Sequence, residues 1–219
     1  MSSSQQLSDI RQQFIELAIQ FGALRFGDFT LKSGRRSPYF FNAGVFSTGV
    51  AMATLGRCYA AMIDAEHPDA DALFGPAYKG IPLATATAVA LLNDHGKDLP
   101  VTFDRKEVKT HGEGGQLMGA PLSGNIVIID DVMTAGTAVR HSVELIAGHD
   151  AKAAGVVIGL DRCERGNSDL SAVEEAEQSL GLKVSSVISL HDIIDWLETQ
   201  ENGSESLAKM RDYREAFGV

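Results

Sequence analysis

Apolar positions change their spacing repeatedly along this chain, and the changes divide it into alternating helices and strands. Across residues 8–21, Ile10, Phe14, Leu17 and Phe21 recur at helical spacing, and Gly22 is a natural stop. Two short strand-like runs follow at 29–31 and 37–42, on either side of a turn that begins at Lys32. A helix is then predicted over 48–65, a strand at 72–74, a helix over 81–93 and a strand at 100–103. After a long aperiodic stretch the pattern resumes with an apolar run at 125–129 and a helix over 138–147. A strand at 153–160, a helix over 171–180, a strand at 183–189 and helices over 190–201 and 206–217 close the chain. The strand runs are continuously apolar, as in parallel strands covered on both faces. With helices between them they predict an α/β fold: a central, mostly parallel, Rossmann-like sheet flanked by helices. No linker or repeat divides the 219 residues, so one domain is expected, with a small N-terminal hood over about 1–45 on a core over about 46–219.

The run at 125–129 ends in chemistry. It reads on as VIIDDVMTAGTAV, Val127 to Val139: two carboxylates, Asp130 and Asp131, then Val132, Met133 and the loop Thr134, Ala135, Gly136 and Thr137, opening onto a helix at Ala138. Free N–H groups at a helix start and two hydroxyls make an anion site. The loop has neither the lysine of a Walker A sequence nor the spacing of a GxGxxG turn. Two acids beside a bare phosphate would repel it. They suit sugar hydroxyls, which donate to carboxylates, while the loop amides take a phosphate on the same sugar. The pattern therefore points to a ribose 5-phosphate site.

Four further segments carry candidate chemistry. GPAYKG places Tyr78 and Lys79 between a strand and a helix start, at the carboxyl edge where open α/β sheets bind ligands. DRKEVKTHGEGGQ, over 104–116, gathers Arg105, Lys106, Lys109 and His111 and has no apolar period, so it is expected to be a solvated, mobile lid. Arg162 follows the strand at 153–160 and falls at the same sheet edge. In the hood, Phe40 and Phe41 are adjacent, which puts one ring on each face of a strand, so at most one lies fully in the core and the other packs or stacks on a planar ligand.

Composition narrows the partners. A formal charge of −10 argues against nucleic acid as a partner and makes the 104–116 cluster stand out as a local reversal of sign. No apolar run reaches membrane-spanning length, so no membrane partner is expected. Cys58 and Cys163 are far apart and outside any metal spacing, and Met1 to Gln6 shows no leader pattern, so a cytoplasmic protein with reduced thiols is expected.

The stretch at 127–139 resembles the phosphoribosyl-pyrophosphate (PRPP) signature of the type I phosphoribosyltransferases. That signature is specific to the ligand and not to the reaction. The segments FTLKSGRRSPYFFNAG, GPAYKG, DRKEVKTHGEGG and LDRCERG together resemble the bacterial orotate phosphoribosyltransferases over nearly the whole chain. The resemblance implies transfer of ribose 5-phosphate from PRPP to orotate, giving orotidine 5′-monophosphate and pyrophosphate in pyrimidine (UMP) biosynthesis. It also implies the fold of that family, a need for Mg2+ carried mainly by PRPP and pyrophosphate oxygens without direct protein ligands, and a homodimer whose lid reaches the neighbouring subunit's site. By the same resemblance PRPP meets Lys32, Tyr78, Lys79, Arg105, Lys106, Lys109, His111 and the whole run from Asp130 to Ala138. Asp131, Lys109, Lys106, Arg105 and His111 serve the chemistry. Phe40, Phe41, Thr134 and Arg162 surround orotate. The rivals are a transferase for a purine or another pyrimidine, and a PRPP-sensing regulator that binds without reacting.

Overall fold

The computed structural model describes residues 3–31, 33–109, 115–133, 136–166 and 168–219. In chain order its elements are α1 (Ser3–Gln20), β1 (Leu24–Thr30), β2 (Arg36–Phe41), α2 (Gly49–Glu66), β3 (Ala72–Gly75), α3 (Gly80–His95), β4 (Val101–Lys109) and β5 (Gly115–Gly119). They continue with β6 (Gly124–Val132), α4 (Thr137–Ala147), β7 (Ala151–Asp161), α5 (Ala172–Leu180), β8 (Lys183–Ser189), α6 (Leu190–Glu198) and α7 (Ser204–Phe217).

Six strands form the main sheet in the order β5-β4-β3-β6-β7-β8, and β1 and β2 form a separate antiparallel pair. From β4 across to β8 every neighbouring pair is parallel, and β5 alone is antiparallel, at the edge. The expected α/β architecture with a mostly parallel sheet is what forms. Alternate side chains of β6 serve two cores. Val127 and Ile129 pack with α1, α2, α3 and α6, and Ile126 and Ile128 pack with α4 and α5. That division explains the unbroken apolar run, since both faces of the strand are buried.

The strand order has a functional consequence. From β3 the chain crosses through α3 to β4 on one side, while from β6 it crosses through α4 to β7 on the other. The switch point lies between β3 and β6, and the crevice outside their carboxyl ends is where such sheets take ligands.

Three expectations need correction. The aperiodic segment over 104–116 is not a loop throughout, because β4 continues through Asp104, Arg105 and Lys106 to Lys109 and pairs with β5. Backbone pairing supports this arm without apolar alternation, since β4's pairing with β3 ends at Phe103 and the rest meets β5 alone. Asp130 and Asp131 do not follow their strand but lie inside it, because pairing with β7 continues to Val132 opposite Leu160. The first hood strand begins at Leu24, not at residue 29, since Leu24, Arg25 and Phe26 pair with Phe41, Phe40 and Tyr39.

Candidate active site

β3 and β6 deliver their residues to the switch point from opposite sides. Beyond β3 the chain turns through residues 76–79 into α3, and this turn lies directly on β6. A Cβ on Gly80 would come within 2.7 Å of the Ile129 carbonyl oxygen and 2.5 Å of Pro76 Cδ. A Cβ on Gly75 would come within 2.5 Å of the Gly80 carbonyl oxygen. Only hydrogen fits at either position, which is the physical need behind the two glycines of GPAYKG. The contact carries Lys79 to the acids of β6. Its ammonium donates to Asp131 Oδ2 at 2.6 Å, with the lysine side chain 53% exposed and the carboxylate only 12%.

The two adjacent acids are therefore not equivalent. Asp131 is paired with a cation, while Asp130 accepts from the Asp131 backbone N–H at 2.9 Å. Burial, and then the charge of Asp131, pushes the Asp130 carboxyl up to about 7. Beneath them the Tyr59 hydroxyl of α2 donates to the Asp130 carbonyl oxygen at 2.9 Å, fixing the strand end from below.

Two helices start at this crevice without a side-chain cap. α4 follows Gly136, in the left-handed region at φ 66°, and α3 follows Lys79. Away from the crevice, Thr48, Ser171 and Ser189 cap α2, α5 and α6. First-turn N–H groups of α4, which starts at Thr137, Ala138 and Val139, are thus left to an anion. Val132 ends β6, and Met133 is buried against α4 and its neighbours.

The β4–β5 arm joins the same place. The Ala77 N–H donates to the Asp104 carboxylate, so the turn after β3 is tied to the strand carrying Arg105 and Lys106. Lys106 Nζ stands 4.8 Å from the centre of the Tyr78 ring, which is 65% exposed. Lys106 of the arm thus overlies the turn that carries Lys79. Of the other expected residues, Lys32, His111, Thr134 and Ala135 lie outside the described residues, as does the Lys109 side chain.

Similarity to known proteins agrees with this geometry. Residues 51–175 match the phosphoribosyl transferase domain model. Orotate phosphoribosyltransferase of Pseudomonas fluorescens (strain SBW25) is 58% identical over 210 residues, covering 95% of this chain and 98% of that one. The chain belongs to the orotate phosphoribosyltransferase family. Its Salmonella newport (strain SL254) member is 56% identical over 209 residues, with coverage of 95% and 98%. The crystal structure of the Francisella tularensis family member aligns with a TM-score of 0.85 at 42% identity, covering 94% of this chain and 99% of that one.

In this orotate phosphoribosyltransferase family member the β1–β2 pair carries Phe40 and Phe41. Its two adjacent rings separate as the strand period requires: Phe41 stacks on Phe14 at 6.2 Å, while Phe40 meets Phe29 at 5.6 Å under the Arg25 guanidinium. Both are half-buried, in keeping with at most one lying fully in the core, and the fully buried ring of this strand is Tyr39. Arg162 just beyond β7 reaches back to the hood, lying over the Tyr39 ring at 4.3 Å and donating to Ser37 Oγ at 3.3 Å. It also pairs with Glu164 at 2.7 Å. Sequence reasoning missed Glu164, Asp104 and Tyr59. A GPAYKG turn needs something to hold it and could have directed attention to Asp104, but nothing local marks the other two.

Proposed function

We propose that this crevice transfers ribose 5-phosphate from PRPP to a ring nitrogen of orotate, releasing orotidine 5′-monophosphate and pyrophosphate. The observation that carries the reading is the Lys79–Asp131 pair at the switch point, where a phosphate-binding turn and the acids of β6 meet. In this reading the first turn of α4 receives the 5′-phosphate, with Thr134 and Ala135 in the same loop. Asp130 and Asp131 accept from the ribose hydroxyls, and Tyr78 and Lys79 attend the pyrophosphate with Arg105, Lys106, Lys109 and His111. Lys32, Phe40, Phe41 and Arg162 enclose the base.

The chemistry follows from charge. Breaking the bond from the anomeric carbon to pyrophosphate leaves cationic character on the sugar and an added negative charge on the leaving group. Carboxylates beside the sugar and cations over the turn stabilise both. Asp131, released from Lys79 as the ammonium turns to the incoming diphosphate, gains accepting capacity when the ribose arrives. Orotate's charge at neutral pH lies on its carboxylate, so as the ring nitrogen bonds to the anomeric carbon it gives up its N–H proton, which passes to the departing pyrophosphate or to water. The arm excludes water, which would otherwise take the sugar.

Magnesium fits these residues as an ion brought in with substrate. Among the described residues no group of three or more His, Cys, Asp or Glu gathers to hold a metal. A pair of carboxylates, one of them already neutralised, suits an ion that keeps few protein ligands and sits on phosphate oxygens. Asp130 and Asp131 would meet it through water rather than as direct ligands, and it would supply charge neutralisation on the leaving pyrophosphate.

The reading extends to a homodimer with a shared lid. The β4–β5 arm outruns its pairing with β3, and exposed Val50, Val89 and Leu92 lie on the neighbouring helices α2 and α3, apolar surface suited to a two-fold contact. No helix among the described residues is long and apolar enough to cross a membrane. Two free thiols, both pushed up to about 12 by burial, support work in the reducing cytoplasm.

Base choice tests the reading. With PRPP and Mg2+, turnover with orotate is expected to exceed that with uracil, adenine or hypoxanthine by at least about 10³-fold, because a site built to hold a carboxylate rejects rings lacking one. A preference for a purine would assign the crevice to another transferase, and PRPP binding without turnover on any base would make it a regulator's.

A further inference from the structure

Two arginines and a tyrosine converge on one nearly buried carboxylate behind the crevice. Glu164 Oε1 takes Arg162 Nη2 at 2.7 Å and the Tyr39 hydroxyl at 3.1 Å, and its Oε2 takes Arg35 Nη1 at 3.1 Å. The side chains of Glu164 and Arg162 are 10% and 14% exposed. Cys163 between them adopts a left-handed φ of 48°, which L residues rarely take, and this turn brings side chains two positions apart onto each other. The turn is held on both sides. The Cys163 N–H donates to Asp161 Oδ1 at 2.8 Å, and the chain end is laid against it, with Val219 N–H donating to the Cys163 carbonyl at 3.1 Å and Arg165 N–H to that of Phe217 at 2.9 Å.

The two arginines use the carboxylate differently. Arg35 has other anchors, donating to the Arg165 carbonyl at 3.0 Å and lying over the Phe217 ring at 4.7 Å. Arg162 also lies over a ring, that of Tyr39 at 4.3 Å, but its other hydrogen bond, to Ser37 Oγ, is long at 3.3 Å, so Glu164 is its strongest polar anchor. Both of these hydrogen bonds leave from Nη2, so Glu164 and Ser37 hold one corner of the guanidinium while its face lies over the Tyr39 ring. Burial works against its charge, and Tyr39 and Glu164 outweigh that, holding Arg162 above its ordinary range. Apolar residues of the same volume would fill this place at no desolvation cost, so a buried carboxylate is better explained by a need to compensate and aim the Arg162 guanidinium.

We propose that Glu164 is the positioning residue of the base end: it sets the direction of Arg162 and thereby the selection of orotate by its carboxylate. This rests on the assignment of Arg162 to orotate. Without Glu164 the two guanidiniums lose their common counter-charge and repel, and Arg162 turns from the crevice.

Steady-state kinetics of Glu164→Gln, Glu164→Asp, Arg162→Ala and the double variant Glu164→Gln/Arg162→Ala test it, with the Tm of each recorded. Glu164→Gln is expected to raise the orotate KM about tenfold and to shrink the preference for orotate over uracil as much, the scale of one charge-assisted bond. The PRPP KM should stay within about twofold. Glu164→Asp should recover part of the loss, and Glu164→Gln should add less than about twofold to Arg162→Ala, because both act through one group. The proposal is overturned if Glu164→Gln lowers Tm and moves both KM values alike, or if its penalty adds in full to that of Arg162→Ala. An unchanged orotate KM in Arg162→Ala alone would remove the underlying assignment and the proposal with it, a result read separately from Glu164. Should Glu164→Gln not fold, Glu164→Asp carries the same comparison.

Discussion

Asp131→Asn is expected to lower kcat/KM for PRPP by roughly ten- to a hundredfold, and Asp130→Asn by a similar factor. One charge-assisted hydrogen bond is worth roughly 1.5–3 kcal/mol, which is about one to two decades in rate. The two variants should differ in every other respect. Asp131 holds Lys79, so its loss also frees the turn after β3 and leaves an ammonium without its partner. Asp130 is the member without a cation partner, with its carboxyl raised from 3.8 to about 7. A carboxyl raised on folding contributes stability that is fully present below about pH 4 and is lost as pH rises through about 7. Asn does not ionise, so Asp130→Asn should be more stable than the parent at pH 8, by about 1–3 kcal/mol, or several degrees in Tm. The gain should be smaller at pH 5 and vanish near pH 4. Activity has the opposite sign. The parent's kcat/KM should fall as pH drops below about 7, since a protonated Asp130 no longer accepts from two sides. Removing the neighbouring charge with Asp131→Asn should move that fall to lower pH. Full activity in the double variant would remove both acids from the site.

How far the chain reveals this arrangement depends on whether a signal is local. Asp130 and Asp131 stand out because an apolar run buried on both faces ends abruptly in two charges. Lys79 stands out because two glycines bracket it in a turn. That these groups meet follows from the strand order, which only pairing decides. The exact end of β6 was not legible, since apolar character stops at Ile129 whereas hydrogen bonding to β7 continues to Val132. The β4–β5 arm was hidden for a related reason: with little of it against the core, it has no hydrophobic period to display. Phe40 and Phe41 could be assigned to opposite faces but not to roles, because the partner that draws Phe41 inward is Phe14 on α1. Glu164 reads as a surface acid in a charged run. Its burial depends on Arg35, 129 positions away, and on the chain end.

The second large effect concerns the arm and the neighbouring subunit. Lys109→Ala and the double variant Asp130→Asn/Asp131→Asn are each expected to be nearly inactive as homodimers, because every site lacks either a lid cation or both acids. Mixing them under conditions that exchange subunits should restore activity if the arm closes over its partner. In a mixed dimer one site then has intact Asp130 and Asp131 covered by an arm with an intact Lys109, while the other site carries both defects. A two-fold interface makes the sites equivalent before substitution, so recovery of up to about half the sites in each mixed dimer is the limit. Exchange is verified independently, by mass spectrometry of differently tagged chains. No recovery despite exchange would mean that each arm serves its own subunit. The position of Lys106 over Tyr78 of its own chain makes this a real alternative.

The central claim is a group transfer that couples two substrates, and phosphorus NMR follows it directly. Incubated with PRPP, Mg2+ and orotate, the protein is expected to convert the PRPP resonances into those of orotidine 5′-monophosphate and pyrophosphate in a one-to-one ratio, and to leave PRPP intact when orotate is withheld. Release of ribose 5-phosphate and pyrophosphate at the same rate with or without orotate would contradict the account, because it would make water the acceptor in a crevice built to exclude it.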